Sequence, residues 1–219
     1  GRNEESGRSA AARHGLDRAY RSYEELVLDP EIDVVYIALL NYLHAEWAIK
    51  AIEAGKHVLC EKPMTMNERE TLRILEAAEG RNLQVMEAFY WRFHPAHIIA
   101  RELVREGAIG RPKFMHSHFS FPIRQETRFV KEWGGGALYD LGCYTISWIR
   151  HIMEEEPVAV DSELSSDHPS GVDTAGSGII YFPDRTAYMS ISYNLDRLQF
   201  YEVQGETGSL RVESFATDY

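Results

Sequence analysis

The segment DVVYIALL at residues 33–40 sets the tightest limit on what this chain can fold into. It is apolar and rich in β-branched residues, without the alternation of a half-solvated strand, and so predicts a strand buried on both faces of a parallel sheet. A parallel neighbour needs a crossover, and the next segment supplies one. In HAEWAIKAIEAG, residues 44–55, Trp47, Ala48, Ala51 and Ile52 share one helical face and Gly55 stands as C-cap. HVLCE (57–61) then reads as a strand, residues 68–79 as a helix and LQVMEAF (83–89) as a third strand. Strand and helix alternating at this pitch form a doubly wound α/β pattern. Upstream, residues 4–14 predict a short polar helix stopped by Gly15, and residues 23–28 a second one ended by Asp29-Pro30.

After WRFHPA (91–96) and a helix ending near Gly107, the pattern changes. KFMHSHFSF, AVDSELSS, TAGSGIIYF, TAYMSISYN, LQFYEVQG and SLRVES read as strands joined mostly by short turns, several alternating apolar and polar residues. That predicts an antiparallel sheet with one covered face. Whether that face carries Tyr188, Ser190 and Ser192, or Met189, Ile191 and Tyr193, the alternation leaves open. The fold class is therefore α/β: a partial Rossmann-like parallel domain at residues 1–92, then residues 93–219 with a large open, mostly antiparallel sheet.

Charge and cysteine content remove several function classes. Acidic residues outnumber basic ones by 34 to 23, for a net charge of -11, which argues against nucleic acid and acidic membranes as partners. Cys60 and Cys143 lie in apolar segments without metal-ligand spacing, as free thiols of a reducing cytoplasm would. No apolar run approaches the ~20 residues of a membrane span.

Two stretches carry chemistry. In HVLCEKPMTMN (57–67), Lys62 stands beside Glu61 and Pro63 where the strand ends. Many such lysines merely mark the exit to water, but the crevice at strand carboxyl ends is also where open α/β sheets bind ligands. In GGGALYDLGCYTISWIRHI (134–152), three glycines open an apolar helix, so uncovered N–H groups there would favour an approaching anion. Asp140 and Tyr144, four apart, share one face.

The segments EIDVVYIALLNYLHAEWAIKAIEAGKHVLCEKP, MEAFYWRFHP, GGGALYDLGCY and VQGETGSLRV together resemble the glucose-fructose oxidoreductase, inositol dehydrogenase and rhizopine-catabolism family of NAD(P)-dependent oxidoreductases, nearest its xylose and dihydrodiol dehydrogenase branch. The resemblance implies hydride transfer between NADP(H), or NAD(H), and a sugar, polyol or related cyclic alcohol, with oxidation of an aldose at C1 as one form. Lys62 matches the lysine that polarises the substrate oxygen, Asp140 a carboxylate that holds substrate, and Tyr144 the general acid/base. A nearby lysine ammonium would favour the phenolate and so bring Tyr144 closer to working pH. Glu61 would steady the strand end, and Pro63 is a candidate cis residue. Asn41 and His44 match an Asn-x-x-His near the cofactor, preceded here by Leu39-Leu40 where the family has Thr-Pro. Arg92 and His94 match a loop that either touches a sugar hydroxyl or is held by its own hydrogen bonds.

Members of the family open with a Gly-x-Gly-x-x-Gly turn that cradles the pyrophosphate. This chain starts with Gly1-Arg2-Asn3 at the point that meets the adenosine ribose, where Arg2 suits a 2′-phosphate, and it ends soon after SLRVES, as a fragment or a natural truncation would. Two other readings therefore stand beside the dehydrogenase: a non-catalytic binding or regulatory protein, and an NAD-dependent glycosidase acting by transient oxidation. The broad open sheet further implies a homodimer or dimer of dimers formed face to face.

Overall fold

A computed structural model describes residues 3–213, and the chain divides between Ala88 and Phe89 into two compact units. The division precedes the expected boundary at residue 92 because Phe89 and Trp91 belong to the core of the second unit.

The first unit begins with two short helices. Helix α1, Glu4–His14, is capped by Asn3, whose Oδ1 accepts the N–H groups of Glu5 and Ser6, and stops at Gly15 in the left-handed conformation. Helix α2, Tyr23–Leu28, is capped by Ser22. Strand β1 (Val34–Ile37), helix α3 (Asn41–Glu53), strand β2 (His57–Cys60), helix α4 (Glu68–Ala78) and strand β3 (Val85–Glu87) follow. The strands pair in parallel in the order β1-β2-β3. Crossovers of one hand between strands laid down in sequence order put both helices on one side of the sheet. There Val35, Ile37, Val58 and Cys60 pack with Trp47, Ala48, Ala51, Ile52 and Ile74.

Among the described residues this differs from the two-sided burial expected of DVVYIALL: Val34 and Tyr36, which point to the opposite face, are each 56% exposed. An uninterrupted apolar strand is compatible with a helix layer on one side or on both, and composition alone does not tell them apart.

In the second unit a 3₁₀ turn, Tyr90–Phe93, leads into α5, Pro95–Arg105. Strand β4 (Pro112–Ser120) is followed by a loop and helix α6 (Cys143–Met153), then by β5 (Ala159–Ser165), β6 (Ala175–Tyr181), β7 (Thr186–Ser192), β8 (Leu198–Gly205) and β9 (Ser209–Glu213). The sheet order is β5-β6-β7-β4-β8-β9, with β4 and β7 parallel and every other pair antiparallel.

One face of this sheet packs on the helices. Met115 and Phe119 of β4, Met189 and Ile191 of β7, and Tyr201 and Val203 of β8 meet Trp148 and Ile149 of α6 in one core. Replacing a wholly buried tryptophan such as Trp91 or Trp148 by alanine would cost about 3–5 kcal/mol. The register puts Tyr188 and Ser190 on the other face, level with His116 and His118. The alternation in TAYMSISYN thus resolves with Met189, Ile191 and Tyr193 inward. Cys60 is buried, Cys143 only partly so, and both are free thiols. Among the described residues no helix is long and apolar enough to cross a membrane.

Candidate active site

In the first unit the functional candidates gather at the carboxyl ends of the parallel strands. The chain leaves β2 through Glu61, Lys62 and Pro63, and the Lys62–Pro63 peptide is cis, as anticipated. Glu61 accepts the Tyr36 hydroxyl, and its Oε2 accepts the Lys62 N–H at 3.3 Å. The Glu61 hydrogen bond is the main reason the Tyr36 phenol is pushed up to about 12. The next turn is tied to β3, because the Met64 N–H donates to Glu87 Oε1 at 2.8 Å and the Ala88 N–H to the Cys60 carbonyl at 2.7 Å.

His44 is fully buried. Its Nδ1 lies 2.8 Å from the Pro63 carbonyl and its Nε2 3.0 Å from the Leu39 carbonyl. The imidazole therefore braces the loop after β1 against the loop after β2. Leu39 packs on the core of the unit, and Asn41 opens α3 almost wholly buried. Leu39, His44 and Pro63 are thus brought together, with Glu61 and Lys62 on the same loop. Arg2 lies outside the described residues.

In the second unit the glycine run is not the open start of a helix. Gly134 and Gly136 have φ of 77° and 116°, and the segment Leu138–Gly142 is a π-helical turn that precedes α6. Nor are its N–H groups uncovered. Those of Gly134, Gly135 and Gly136 donate to the carbonyls of Lys131, Val130 and Arg128, that of Ala137 to the Asp173 carbonyl, and that of Leu138 to Asp173 Oδ2 at 2.6 Å. The anion cradle expected from the sequence is already filled by the protein's own main chain and one carboxylate. The glycines serve a tight crossing instead: a Cβ on Gly135 would lie 2.6 Å from the Arg128 carbonyl oxygen.

Asp140 and Tyr144 follow on this turn and the first turn of α6, and both are buried. Asp140 Oδ1 is 3.2 Å from Arg128 Nη1, and Oδ2 accepts from the Tyr193 hydroxyl at 3.3 Å. The Tyr144 ring is edge-on to Phe89 and Phe119 at 5.5 Å and lies 6.0 Å from Trp148, with its hydroxyl hydrogen-bonded to Tyr90. Burial first, then the neighbouring Tyr90, raises the Tyr144 pKa far above that of an ordinary phenol. That direction is opposite to the lowering the sequence suggested, because an aromatic cage disfavours a phenolate. A neutral phenol is the form present at ordinary pH, suited to donating a hydrogen bond or a proton.

The two softer candidates lie on the 3₁₀ turn and at the start of α5. Arg92 lies over the Trp91 ring at 5.4 Å. His94 caps α5, its Nδ1 accepting the Ala96 N–H at 3.2 Å just ahead of Pro95. Sequence reasoning missed Arg128, Asp173 and Tyr193 as companions of the Asp140 turn, and Tyr90 as the partner of Tyr144. Tyr90 lay within a quoted motif and carried a signal; a loop arginine and a loop aspartate did not.

Comparison with known proteins gives the family. Residues 97–211 match the model of the GFO/IDH/MocA C-terminal domain. Residues 1–89 match the model of the oxidoreductase family with an NAD-binding Rossmann fold. The chain belongs to the GFO/IDH/MocA oxidoreductase family. Among its relatives, the chain is 36% identical to a trans-1,2-dihydrobenzene-1,2-diol dehydrogenase of Xenopus laevis over 98% of this chain and 66% of that protein. It is 37% identical to a D-xylose 1-dehydrogenase (NADP(+)) of Haloferax volcanii over 96% of this chain and 66% of that one. The chain thus spans just under two thirds of the length of these curated relatives. A levoglucosan dehydrogenase solved with NADH and levoglucosan superposes with a TM-score of 0.90 at 29% identity, covering 100% of this chain and 67% of that one.

Proposed function

We propose that the chain belongs to an NADP-dependent oxidoreductase, NAD being the alternative cofactor, that oxidises or reduces a sugar, polyol or related cyclic alcohol. The observation that carries this is the Asp140–Tyr144 pair, both buried beside hydrogen-bonding partners in a chain whose named relatives act on xylose and on a dihydrodiol. Those relatives favour a dehydrogenase over a glycosidase or a non-catalytic binding protein.

The residues at the ends of the first unit's strands fit the nicotinamide half of a dinucleotide. Asn41 and Lys62 are the residues we assign to it there, on loops braced by His44. Arg2 is the residue we assign to a 2′-phosphate. When bound, the nicotinamide supplies the carbon that takes or gives a hydride. Hydride moves only as the substrate oxygen loses or gains a proton, so the chain must manage that proton.

Tyr144 Oη fills this role: the neutral phenol donates its proton to the substrate oxygen in reduction and regains one from solvent, and in oxidation the phenolate left by loss of that proton to solvent takes up the hydroxyl proton. Lys62 is the cation we assign to stabilising negative charge on a substrate oxygen. Asp140, an acceptor on both oxygens, takes hydrogen bonds from substrate hydroxyls. Arg92 and His94 border the sugar. The open face around His116, Tyr188 and Ser190 is the surface we assign to a second copy of the chain, and two free thiols suit a cytoplasmic enzyme.

The test is a panel of aldoses, polyols and cyclic diols offered to the native full-length protein with NADP⁺ or NAD⁺, read by nicotinamide absorbance. Turnover with a sugar or diol supports the assignment, and a flat trace across the panel in both directions refutes it.

A further inference from the structure

Asp140 is 4% exposed, and each of its oxygens has a donor from a different part of the fold. The guanidinium of Arg128 comes from the loop ahead of the glycine run and stands 3.2 Å from Oδ1. The hydroxyl of Tyr193 comes from the residue after β7 and stands 3.3 Å from Oδ2. The same hydroxyl is 2.9 Å from the Gly136 carbonyl, so its single proton is shared between that carbonyl and Oδ2.

Both donors are anchored through their main chains. The Arg128 carbonyl accepts the Gly136 N–H at 2.9 Å, and the Tyr193 N–H donates to the Thr174 carbonyl at 2.8 Å. A carboxylate taken from water needs its charge compensated and its lone pairs occupied. One donor would leave the group free to rotate about Cβ–Cγ; donors on opposite oxygens fix the plane of the carboxylate.

We infer that Arg128 and Tyr193 are positioning residues that hold the Asp140 carboxylate in a single orientation for substrate hydroxyls, an inference that rests on the function proposed above. Neither residue needs to touch substrate. Their effect passes through Asp140, and this separates the inference from a plain role in pinning the glycine loop. A loop pin would matter as much without the Asp140 carboxylate as with it.

The experiment is a set of double-mutant cycles in the native full-length protein: Arg128→Lys, Arg128→Met and Tyr193→Phe, each alone and combined with Asp140→Ala, with Asp140→Asn as the substitute should the alanine variant not fold. Arg128→Met and Tyr193→Phe alone should lower kcat/KM for the sugar about ten- to a hundred-fold, the loss expected for a hydrogen bond to a charged group. KM for the cofactor should stay unchanged, and Arg128→Lys should recover part of the loss. In the Asp140 background the same substitutions should add nothing. Additive losses in both backgrounds, or single variants within about twofold of the parent, would overturn the inference. If the parent protein transfers no hydride to any substrate, the proposed function fails on its own. The grip is then read from thermal unfolding of the same variants, where coupling with Asp140 upholds it and strict additivity rejects it.

Discussion

Asp173 Oδ1 occupies the point at which a side chain on Gly136 would have to start: a Cβ there would lie 2.3 Å from it. Gly136 also has φ of 116°, which residues with a side chain rarely adopt. The aspartate and the glycine thus lock together, and the turn that carries Asp140 is built on the lock. Gly136→Ala is expected to destabilise the second unit by about 1–3 kcal/mol from backbone strain alone, with displacement of Asp173 adding to the loss. Urea unfolding of the variant checks this; an unchanged midpoint would mean the turn is not fixed in the way described.

His97 and His151 make the second unit sensitive to mild acid. Burial holds the pKa of His97 down to about 3, against an ordinary 6.5, with His94 and His151 adding repulsion. Burial, then Arg101 and Arg92, holds that of His151 down to about 4. Both fold as neutral rings, so their contribution to stability is whole above pH 6.5 and is lost as pH falls towards those lowered values. The loss is expected on the order of a few kcal/mol. A melting temperature that declines from pH 6.5 downward, and declines less steeply in His97→Asn, is the expected result.

A second acid transition belongs to Glu154. Its carboxylate is gripped by Arg101 and Arg105 at the end of α6, with Arg105 Nε 2.9 Å from Oε2. The Arg105 hydrogen bond, and after it Arg101, lowers its pKa to about 2 from 4.5. A depressed carboxylate stabilises above pH 4.5 and ceases to do so as pH drops through about 2. The pair is a third exposed, so water and salt screen it and Glu154→Gln is expected to cost at most about 1 kcal/mol. That cost should shrink in 1 M salt, at which the Debye length is ~3 Å.

His44→Ala should loosen the loop that carries Lys62. An imidazole with one N–H donates to only one of the two carbonyls it touches, so removing it leaves one of them, that of Leu39 or of Pro63, without its donor, a cost of about 1–3 kcal/mol for a buried group left unsatisfied. Thermal unfolding should show the loss, and amide exchange at Glu61, Lys62 and Met64 should quicken. Exchange unchanged at those residues would assign His44 no bracing role.

Most of the fold is legible in the sequence because its periodicities are local. The helices α1 and α2 end where Gly15 and Asp29-Pro30 end them, and the strands of the second sheet fall where alternation and turns put them. What is not legible depends on partners far along the chain. Nothing in DVVYIALL says that a helix layer covers only one side. Nothing in GGGALYDLGCY says that Asp173 will satisfy the loop, or that Arg128 and Tyr193 will converge on Asp140. The sequence therefore presents glycines as an open anion site, and the folded chain presents them as a closed crossing. For the same reason Tyr144 reads as a phenol activated by a nearby ammonium until Phe89, Phe119 and Trp148 are seen around it.

Lys62 and Tyr144 are each proposed to act on the oxygen of a substrate whose carbon exchanges hydride with a nicotinamide. The most direct test is the rate of hydride transfer in the native full-length protein, comparing the parent with Lys62→Ala and Tyr144→Phe on a sugar or diol the parent accepts. The account predicts that each substitution lowers kcat by about 10²–10⁴-fold, the usual contribution of a positioned acid/base, while binding of NADPH persists. Rates equal to that of the parent in both variants would contradict it.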